Sequence, residues 1–482
     1  MRTAVTTPMR HAFLYFVLLV GAGVAILGVL HFGSSLPLPE NAVSGAGPAA
    51  ATTMSEQSAV PDFLRGARSN VDQPLSRLLV QMLLILAAAH LAGRAFTRIG
   101  LSAVVGEMAA GILLGPSFLG LLAPAVYGFV FPSSSLAALQ LLSQIGICLF
   151  MFSVGMELNV HHVRGSARTA VAVSNVSIVI PFLAGVLLAY LLFTDFAGPR
   201  ATFPGFALFM GISLSITAFP VLARILQERR MTQTVVGSTA ITCAAIGDAT
   251  AWAILAFVVA IARSTHLDGA FVTVALALLF AAVMWLGVRR ALPRWLGAAR
   301  LLEDAPSAGT LAAVLLVVVA ASLCTELIGI HALFGAFVAG AVMPDADGFR
   351  HKINARVQGL SSVLLLPLFF AFTGIRTQIG LLDGAQTWLL CLAIIAVATV
   401  GKLGASAAAA RFTGMTWRQS LQLGALMNTR GLMELIALNI GYDFGILSPR
   451  IFAMLVIMAM VTTLLTQPLL TLFEGPRTTT PH

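Results

Sequence analysis

The stretch Ala240–Trp252, with the sequence AITCAAIGDATAW, lies inside an apolar run from Thr234 to Ala262. Asp248 is the only charged residue of that run. A carboxylate in the middle of a membrane-spanning helix costs at least about 2.5 kcal/mol on insertion scales, so it usually faces a cavity or a partner. Asp248 is therefore the first candidate for a functional residue. The alternative is a structural hydrogen bond to a neighbouring helix.

The composition is that of a polytopic membrane protein. Of the 482 residues, 58% are hydrophobic and only 10% are charged, against about 25% charged in a soluble domain. The net charge of +9 comes from basic residues in short loops, which indicates contact with anionic lipid rather than nucleic acid. The four cysteines are isolated, and there is no nucleotide-binding or hydrolase motif. We therefore expect no cofactor, and no enzyme.

Apolar runs predict an all-α protein of thirteen core membrane helices preceded by one N-terminal helix. Residues 1–32 form either an uncleaved anchor, which we favour, or a signal peptide, and 33–77 form a flexible extracytoplasmic linker. The main membrane domain covers 78–473, and 474–482 form a short cytoplasmic tail. The core spans that we predict are 78–96, 103–122, 136–158, 169–193, 202–226, 234–262, 268–288, 308–328, 330–343, 358–375, 385–410, 418–440 and 449–473.

The loop charges give these spans an orientation. Basic residues concentrate in every second loop, which places those loops and both chain termini in the cytoplasm. Six helices in 78–262 and six in 308–473 then run in opposite orientations on either side of a linking helix at 268–288. This arrangement is an inverted repeat, and we expect it in a bacterial inner membrane.

The fifth helix of each repeat is interrupted. The first interruption is Ser213–Pro220, where a proline removes a backbone hydrogen bond. The second is Met427–Gly431, which is polar and contains glycine. Interruptions at corresponding positions of two repeats indicate an ion site near the middle of the membrane, because they expose backbone carbonyl and amide groups there.

Five strings together resemble the cation:proton antiporter-2 family, which includes bacterial sodium/proton exchangers and plant cation/H+ exchangers. They are SITAFPVLARIL (215–226), AAIGDATAW (244–252), GIHALFGAFVAGAVMP (329–344), LPLFFAFTGIRT (366–377) and LMNTRGLMELIALNIG (426–441). The resemblance covers residues 78–473. It implies an inverted-repeat sodium/proton antiporter-like fold with two crossing discontinuous helices, a dimerisation part that makes a homodimer, and a moving core part.

The resemblance also assigns site residues. It implies that Asp248 binds the cation and the proton, and that Lys402, in VGKLGAS, is the lysine that a later helix supplies. Many sodium exchangers of the family have two adjacent aspartates, whereas this chain has Gly247 at the first position. The lysine that pairs with the first aspartate in those relatives lacks that partner here.

Other polar residues near the interruptions have two possible roles each. The hydroxyl groups of Thr217 and Ser215 can complete an oxygen shell around a cation or bond back to their own helix. Lys402 can belong to the site or extend to the cytoplasmic interface. Arg430 and Glu434 lie on one helix face. They can form a structural ion pair that holds the broken helix, or they can have a gating role.

Four further residues complete the set of candidates. Asn428 and Thr429 are suited to cap the two half-helices of the second interruption. Glu326 and His331 flank Gly329. Because histidine titrates near neutrality, this pair can line an ion path or sense pH. A polar contact between helices is the interpretation that we favour for them.

Together these features predict a secondary antiporter that exchanges Na+ or K+ for H+. Removal of a carboxyl group from water favours its protonated form, so a proton and a cation compete for Asp248. With one shared carboxylate we expect electroneutral exchange. A cation channel or uniporter on the same fold would conduct ions without proton coupling. A non-transporting sensor would tolerate loss of Asp248.

The predicted topology can be tested by cysteine labelling in a background without the four native cysteines. A cysteine introduced at Ser55 should react with an impermeant reagent added outside, because the 33–77 linker is predicted outside. A cysteine at Ser307 should react only after the membrane is permeabilised. Labelling of both positions from one side would contradict the inverted repeat.

Overall fold

The computed structural model describes residues 70–473 apart from 71–72, 100, 102, 158–166, 233, 264–266, 298–305 and 345–347. The described residues are almost entirely helical. The predicted anchor at 1–32, nearly all of the linker at 33–77 and the tail at 474–482 lie outside them. The α-helices are α1 Pro74–Arg98, α2 Ala103–Leu114, α3 Leu119–Leu122, α4 Pro124–Val130, α5 Leu136–Glu157, α6 Ala167–Phe196, α7 Phe203–Ser215, α8 Phe219–Glu228, α9 Val235–Arg263, α10 Leu267–Ala282, α11 Arg289–Leu296, α12 Ala308–Ile328, α13 Ala332–Ala341, α14 Phe349–Leu360, α15 Leu366–Arg376, α16 Ala385–Phe412, α17 Trp417–Met427, α18 Leu432–Asp443 and α19 Pro449–Phe473.

These helices correspond to the thirteen predicted core spans in the described part of the chain. Ten segments are long and apolar enough to cross a membrane. The short α13 and the two interrupted pairs, α7 with α8 and α17 with α18, supply the other three. The predicted all-helical architecture with two discontinuous helices is confirmed.

Several helices extend beyond the ends predicted from the sequence, because basic residues that were assigned to loops lie on helices. A π-helical turn at Val283–Val288 joins α10 to α11, so Arg289 and Arg290 lie on a helix rather than in the loop predicted at 289–307. The Arg289 guanidinium lies 4.6 Å from the centre of the Trp285 ring, and Arg290 Nη1 donates to the Leu286 carbonyl at 3.0 Å. Similarly, the span predicted at 358–375 begins at Phe349 and continues through a π-helical turn to α15.

The helices pack in two groups. The panel group contains α1–α5 and α12–α15, in which α5 packs on α13, α14 and α15. The core group contains α6–α9 and α16–α19, in which α6 packs on α7, α9 and α16. The linking helix α10 contacts α9 of the core group and α12 of the panel group.

Glycine brings helix backbones together within each group. A Cβ atom on Gly340 of α13 would lie 2.1 Å from the Phe152 carbonyl oxygen of α5. A Cβ atom on Gly185 of α6 would lie 2.5 Å from the Met210 carbonyl oxygen of α7. Small residues at such crossings allow the close approach that stabilises helix pairs in membranes. The core group therefore holds the broken helix α7–α8 tightly against α6.

Candidate functional site

The first helix break lies between α7 and α8. The helix ends at Ser215, and the chain is extended at Ile216 and Ala218 before α8 begins at Phe219. Pro220 occupies the first turn of α8, where its missing N–H group removes no helical hydrogen bond. The local sequence thus ends one helix and starts the next within four residues.

The second break lies between α17 and α18. The helix ends at Met427, and Leu432 begins the next helix after Gly431, whose φ of 153° and ψ of −129° suit glycine alone. The two breaks cross and bond each other. The Ala218 amide donates to the Thr429 carbonyl at 3.0 Å, and the Thr217 hydroxyl donates to the Met427 carbonyl at 3.1 Å. Each break thereby satisfies part of the backbone that the other exposes.

Asp248 lies beside this crossing on α9 and is only 2% exposed. No side chain among the described residues donates a hydrogen bond to its carboxylate oxygens, and the Phe219 backbone amide at the start of α8 is the backbone group that acts on it. The carboxylate lines a cavity of about 10 Å³, together with Ile216 of the first break and Met433 of α18. That volume approaches the space of about one water molecule. A buried carboxylate with so few donors is stabilised by a proton or a cation, and the cavity is about the size of one small ion.

Lys402 of α16 reaches the same crossing. Its side chain is fully buried, which excludes extension to the membrane interface. The ammonium group donates a hydrogen bond to the Ser215 carbonyl and acts electrostatically on Asp248. Lys402 therefore links the end of α7 to the cation-binding candidate.

Arg430 covers the same helix end from the second break. Its guanidinium donates to the Ser213 carbonyl at 2.6 Å and to the Leu214 carbonyl at 2.7 Å. It also pairs with Glu434 at 3.3 Å, and both side chains are fully buried. With Lys402 on Ser215, three successive carbonyls at the end of α7 accept from buried cations. The negative end of that helix dipole is thus compensated by the protein itself.

Two of the predicted oxygen ligands already have partners. The Ser215 hydroxyl donates to the Ile212 carbonyl of its own helix at 3.0 Å, and the Thr217 hydroxyl bonds the second break. Both oxygens keep lone pairs, but only Thr217 bridges the crossing. In contrast, the side chain of Asn428 is fully buried, and neither its oxygen nor its nitrogen has a partner among the described residues.

Three residues of the site had no distinctive sequence signal. Thr463 of α19 accepts from the Arg430 amide at 3.2 Å and donates to the Arg430 carbonyl at 2.8 Å. Thr466 accepts from the Thr429 hydroxyl at 3.4 Å. The buried Ser174 hydroxyl of α6 has no partner among the described residues and lies 3.5 Å from where a Cβ of Gly247 would be. Threonine and serine are ordinary in apolar helices, so only their contacts reveal them.

Glu326 and His331 are not part of this crossing. A Glu326 carboxylate oxygen accepts from the Ala332 amide at 2.8 Å, and His331 is the N-cap residue of α13 with a φ of 81°. His331 lines a separate cavity with Asn439 and Asp443. The contact of Glu326 is a local one at the junction of α12 and α13.

Comparisons with known proteins agree on one family. The family model described as "Sodium/hydrogen exchanger, transmembrane" matches residues 82–472. The Na(+)/H(+) antiporter NhaS4 of Synechocystis is 39% identical over 393 residues, which are 81% of this chain and 96% of that protein. The K(+)/H(+) antiporter 1 of Saccharomyces cerevisiae is 32% identical over 407 residues, or 83% of this chain, which spans only 46% of the yeast protein.

A solved structure supports the fold independently. The sodium proton antiporter MjNhaP1 of Methanocaldococcus jannaschii superposes with a TM-score of 0.59, over 84% of this chain and 98% of that protein. The sequence identity is 15%. At that identity the likeness concerns the fold alone.

The Arg430 contacts predict a strong stability effect. Arg430→Met should destabilise the protein by about 3–5 kcal/mol, because it leaves Glu434 unpaired in the interior and two carbonyls without donors. Thermal unfolding of the purified protein in detergent would measure the loss. The matched control is Arg450→Met, which breaks the largely exposed Arg450–Asp383 pair and should cost at most about 1 kcal/mol. Similar melting temperatures for the two variants would contradict the assigned contacts.

Proposed function

This chain belongs to the sodium/hydrogen exchanger family, and from that premise we propose that Asp248 is the carboxylate for which a cation and a proton compete. The chain is a multi-pass membrane protein and a secondary antiporter of monovalent cations and protons, not an enzyme. The observation that supports the site is the buried Asp248 carboxylate, which has no side-chain donor among the described residues and faces a small cavity lined by Ile216 of the first break and Met433 of α18.

The neighbouring groups suit a monovalent cation. Hard cations take oxygen ligands, and the Asp248 carboxylate and the Thr217 hydroxyl are oxygens at the crossing. The unpartnered Asn428 amide oxygen is another buried acceptor on the second break. Lys402 and Arg430, tied to the carbonyls of α7, keep those carbonyls from binding the cation. We therefore place the transported ion on the Asp248 side of the crossing.

The transported ion is Na+ or K+. The names of the two curated relatives point to Na+ for the cyanobacterial protein and to K+ for the yeast protein. Both ions are monovalent and take oxygen ligands, so the same carboxylate can serve either. A comparison of Na+, K+ and Li+ in one assay would assign the ion.

The remaining proposals concern the setting of the chain. We place it in a bacterial inner membrane with both termini in the cytoplasm, the extracytoplasmic linker at 33–77 and the inverted repeats at 78–262 and 308–473. We also propose a homodimer. Leucine side chains along one helix of the panel group, Leu75, Leu79, Leu83 and Leu91, are 55–73% exposed and suit such a contact.

Removal of the Asp248 charge should abolish exchange. Asp248→Asn keeps the side-chain volume but removes the titratable oxygen, so cation pulses should no longer move protons in proteoliposomes that contain a pH-sensitive dye. The matched control is Asp383→Asn, an exposed carboxylate, which should keep exchange. Wild-type proton movement in Asp248→Asn would remove Asp248 from the mechanism, and normal insertion of the variant would be confirmed by its yield in the membrane.

One shared carboxylate predicts electroneutral exchange. If Asp248 exchanges one monovalent cation for one proton while Lys402 stays protonated, no net charge moves. The membrane potential, worth about 2.3 kcal/mol per charge per 100 mV, then does no work on transport. The measurement is Na+-driven proton flux in proteoliposomes clamped with K+ and valinomycin at several potentials and fixed ion gradients. A flux equilibrium that shifts with voltage would contradict one-for-one exchange and would place Lys402 in the proton path.

A further inference from the structure

A large apolar groove lies beside the ion site. It has a volume of about 370 Å³ and is enclosed by α9, α10, α13 and the turn before α13. All of its lining side chains are apolar, among them Trp252, Ala256, Ala277, Phe334 and Phe337. Water needs two to four polar partners to occupy a cavity stably, and the lining side chains offer only the indole N–H group of Trp252. The groove therefore suits an apolar occupant.

The groove is continuous with the surface that faces lipid. The span that contains α10 is the most exposed of the long spans, with only 6% of its apolar window buried. Phe257 and Leu278 border the groove and are 50% and 67% exposed, and Leu279 beside them is 59% exposed. Because the bilayer interior surrounds such a helix, hydrocarbon has direct access to the groove between α9 and α10.

We propose that an acyl chain of a membrane phospholipid occupies this groove. An apolar cavity of about 150 Å³ already binds a benzene molecule, and this groove is more than twice that size. When the alternative is water, each methylene group that an acyl chain buries is stabilised by the hydrophobic effect. Within the bilayer, the gain comes instead from contacts that fill an otherwise poorly packed wall of α9.

The position of the groove matters for transport because one side chain forms a wall of two cavities. Trp252 lines the groove and also lines the small cavity that contains Asp248. Its ring lies edge-on to Phe334 at 5.4 Å and stacks on Phe337 at 5.9 Å between ring centres. An acyl chain on one face of Trp252 thus supports the indole that closes the ion cavity on the other side. This inference concerns lipid binding, and it stands whether or not Asp248 binds the transported cation.

Tryptophan fluorescence tests the occupant directly. Replacement of Trp285, Trp295, Trp388 and Trp417 by phenylalanine leaves Trp252 as the only tryptophan of the chain. The full chain is reconstituted in vesicles of phosphatidylcholine with either plain or brominated acyl chains, since bromine quenches indole emission only at short range. We expect Trp252 to lose most of its emission in brominated vesicles, although its side chain is only 4% exposed.

Two leucine substitutions on α10 separate the groove from the general lipid surface. Ala277→Leu fills the groove, whereas Ala275→Leu adds the same side chain to an exposed position two residues away. In the single-tryptophan chain, Ala277→Leu should restore much of the Trp252 emission, and Ala275→Leu should leave it quenched. Ala256→Leu, which fills the groove from α9, repeats the test if Ala277→Leu does not fold.

Two results would overturn the proposal. Trp252 emission that is equal in plain and brominated vesicles would show that no phospholipid chain reaches the groove, and would leave it to a second copy of this chain or to another apolar solute. Equal quenching in the Ala277→Leu and Ala275→Leu proteins would show that bromine acts from the outer surface of α10 instead. A chain that retains only Trp285, which is 47% exposed on the same span, confirms in each vesicle batch that brominated lipid quenches this protein.

Discussion

The crossing of the two broken helices depends on how buried backbone groups find partners. Inside a membrane an unpaired carbonyl or amide group costs several kcal/mol, and each break exposes such groups at the ends of its two half-helices. In this chain the exposed backbone groups are bound both by cationic side chains and by uncharged hydrogen-bond donors. Lys402 and Arg430 donate to the last carbonyls of α7, and the two breaks bond each other through Ala218 and Thr217.

This solution leaves a balanced set of charges at the crossing. Among the side chains that the structure describes, the four buried ionisable ones at the crossing are Lys402, Arg430, Glu434 and Asp248. Their charges cancel when both carboxylates are ionised. Since Glu434 is paired with Arg430, our proposal assigns Asp248 as the carboxylate that accepts one more positive charge. A proton and a monovalent cation add the same charge, so the two loaded states of the site are electrostatically alike.

Sequence reasoning singled out Asp248 and the two interruptions but not the contacts around them. The lone Asp248 and the paired interruptions stand out because charge, proline and glycine are rare in apolar runs. The partner of Lys402 is the Ser215 backbone carbonyl. It could not be predicted from the sequence, because every residue has a backbone carbonyl. Thr463 was missed for a related reason, since threonine in a membrane helix usually bonds its own backbone. For Glu326 and His331 the favoured interpretation was a polar contact between helices, and both lie at the junction of α12 and α13, away from the crossing.

The contacts between the two helix groups indicate where one group can move relative to the other at the lowest cost in free energy. Within each group, glycines bring backbones into contact, so packing there is rigid. Between α15 of the panel group and α18 of the core group, the described hydrogen bonds and ion pairs are few: Arg376 bonds Asp443 at 2.7 Å and Asn439 at 3.2 Å, and Asn439 bonds Thr373 at 2.9 Å. The Arg376 and Asp443 side chains are 16% and 27% exposed, so water has access to this pair. A displacement of the core group that carries Asp248 would therefore break a small, partly hydrated set of polar contacts while the crossing itself stays intact.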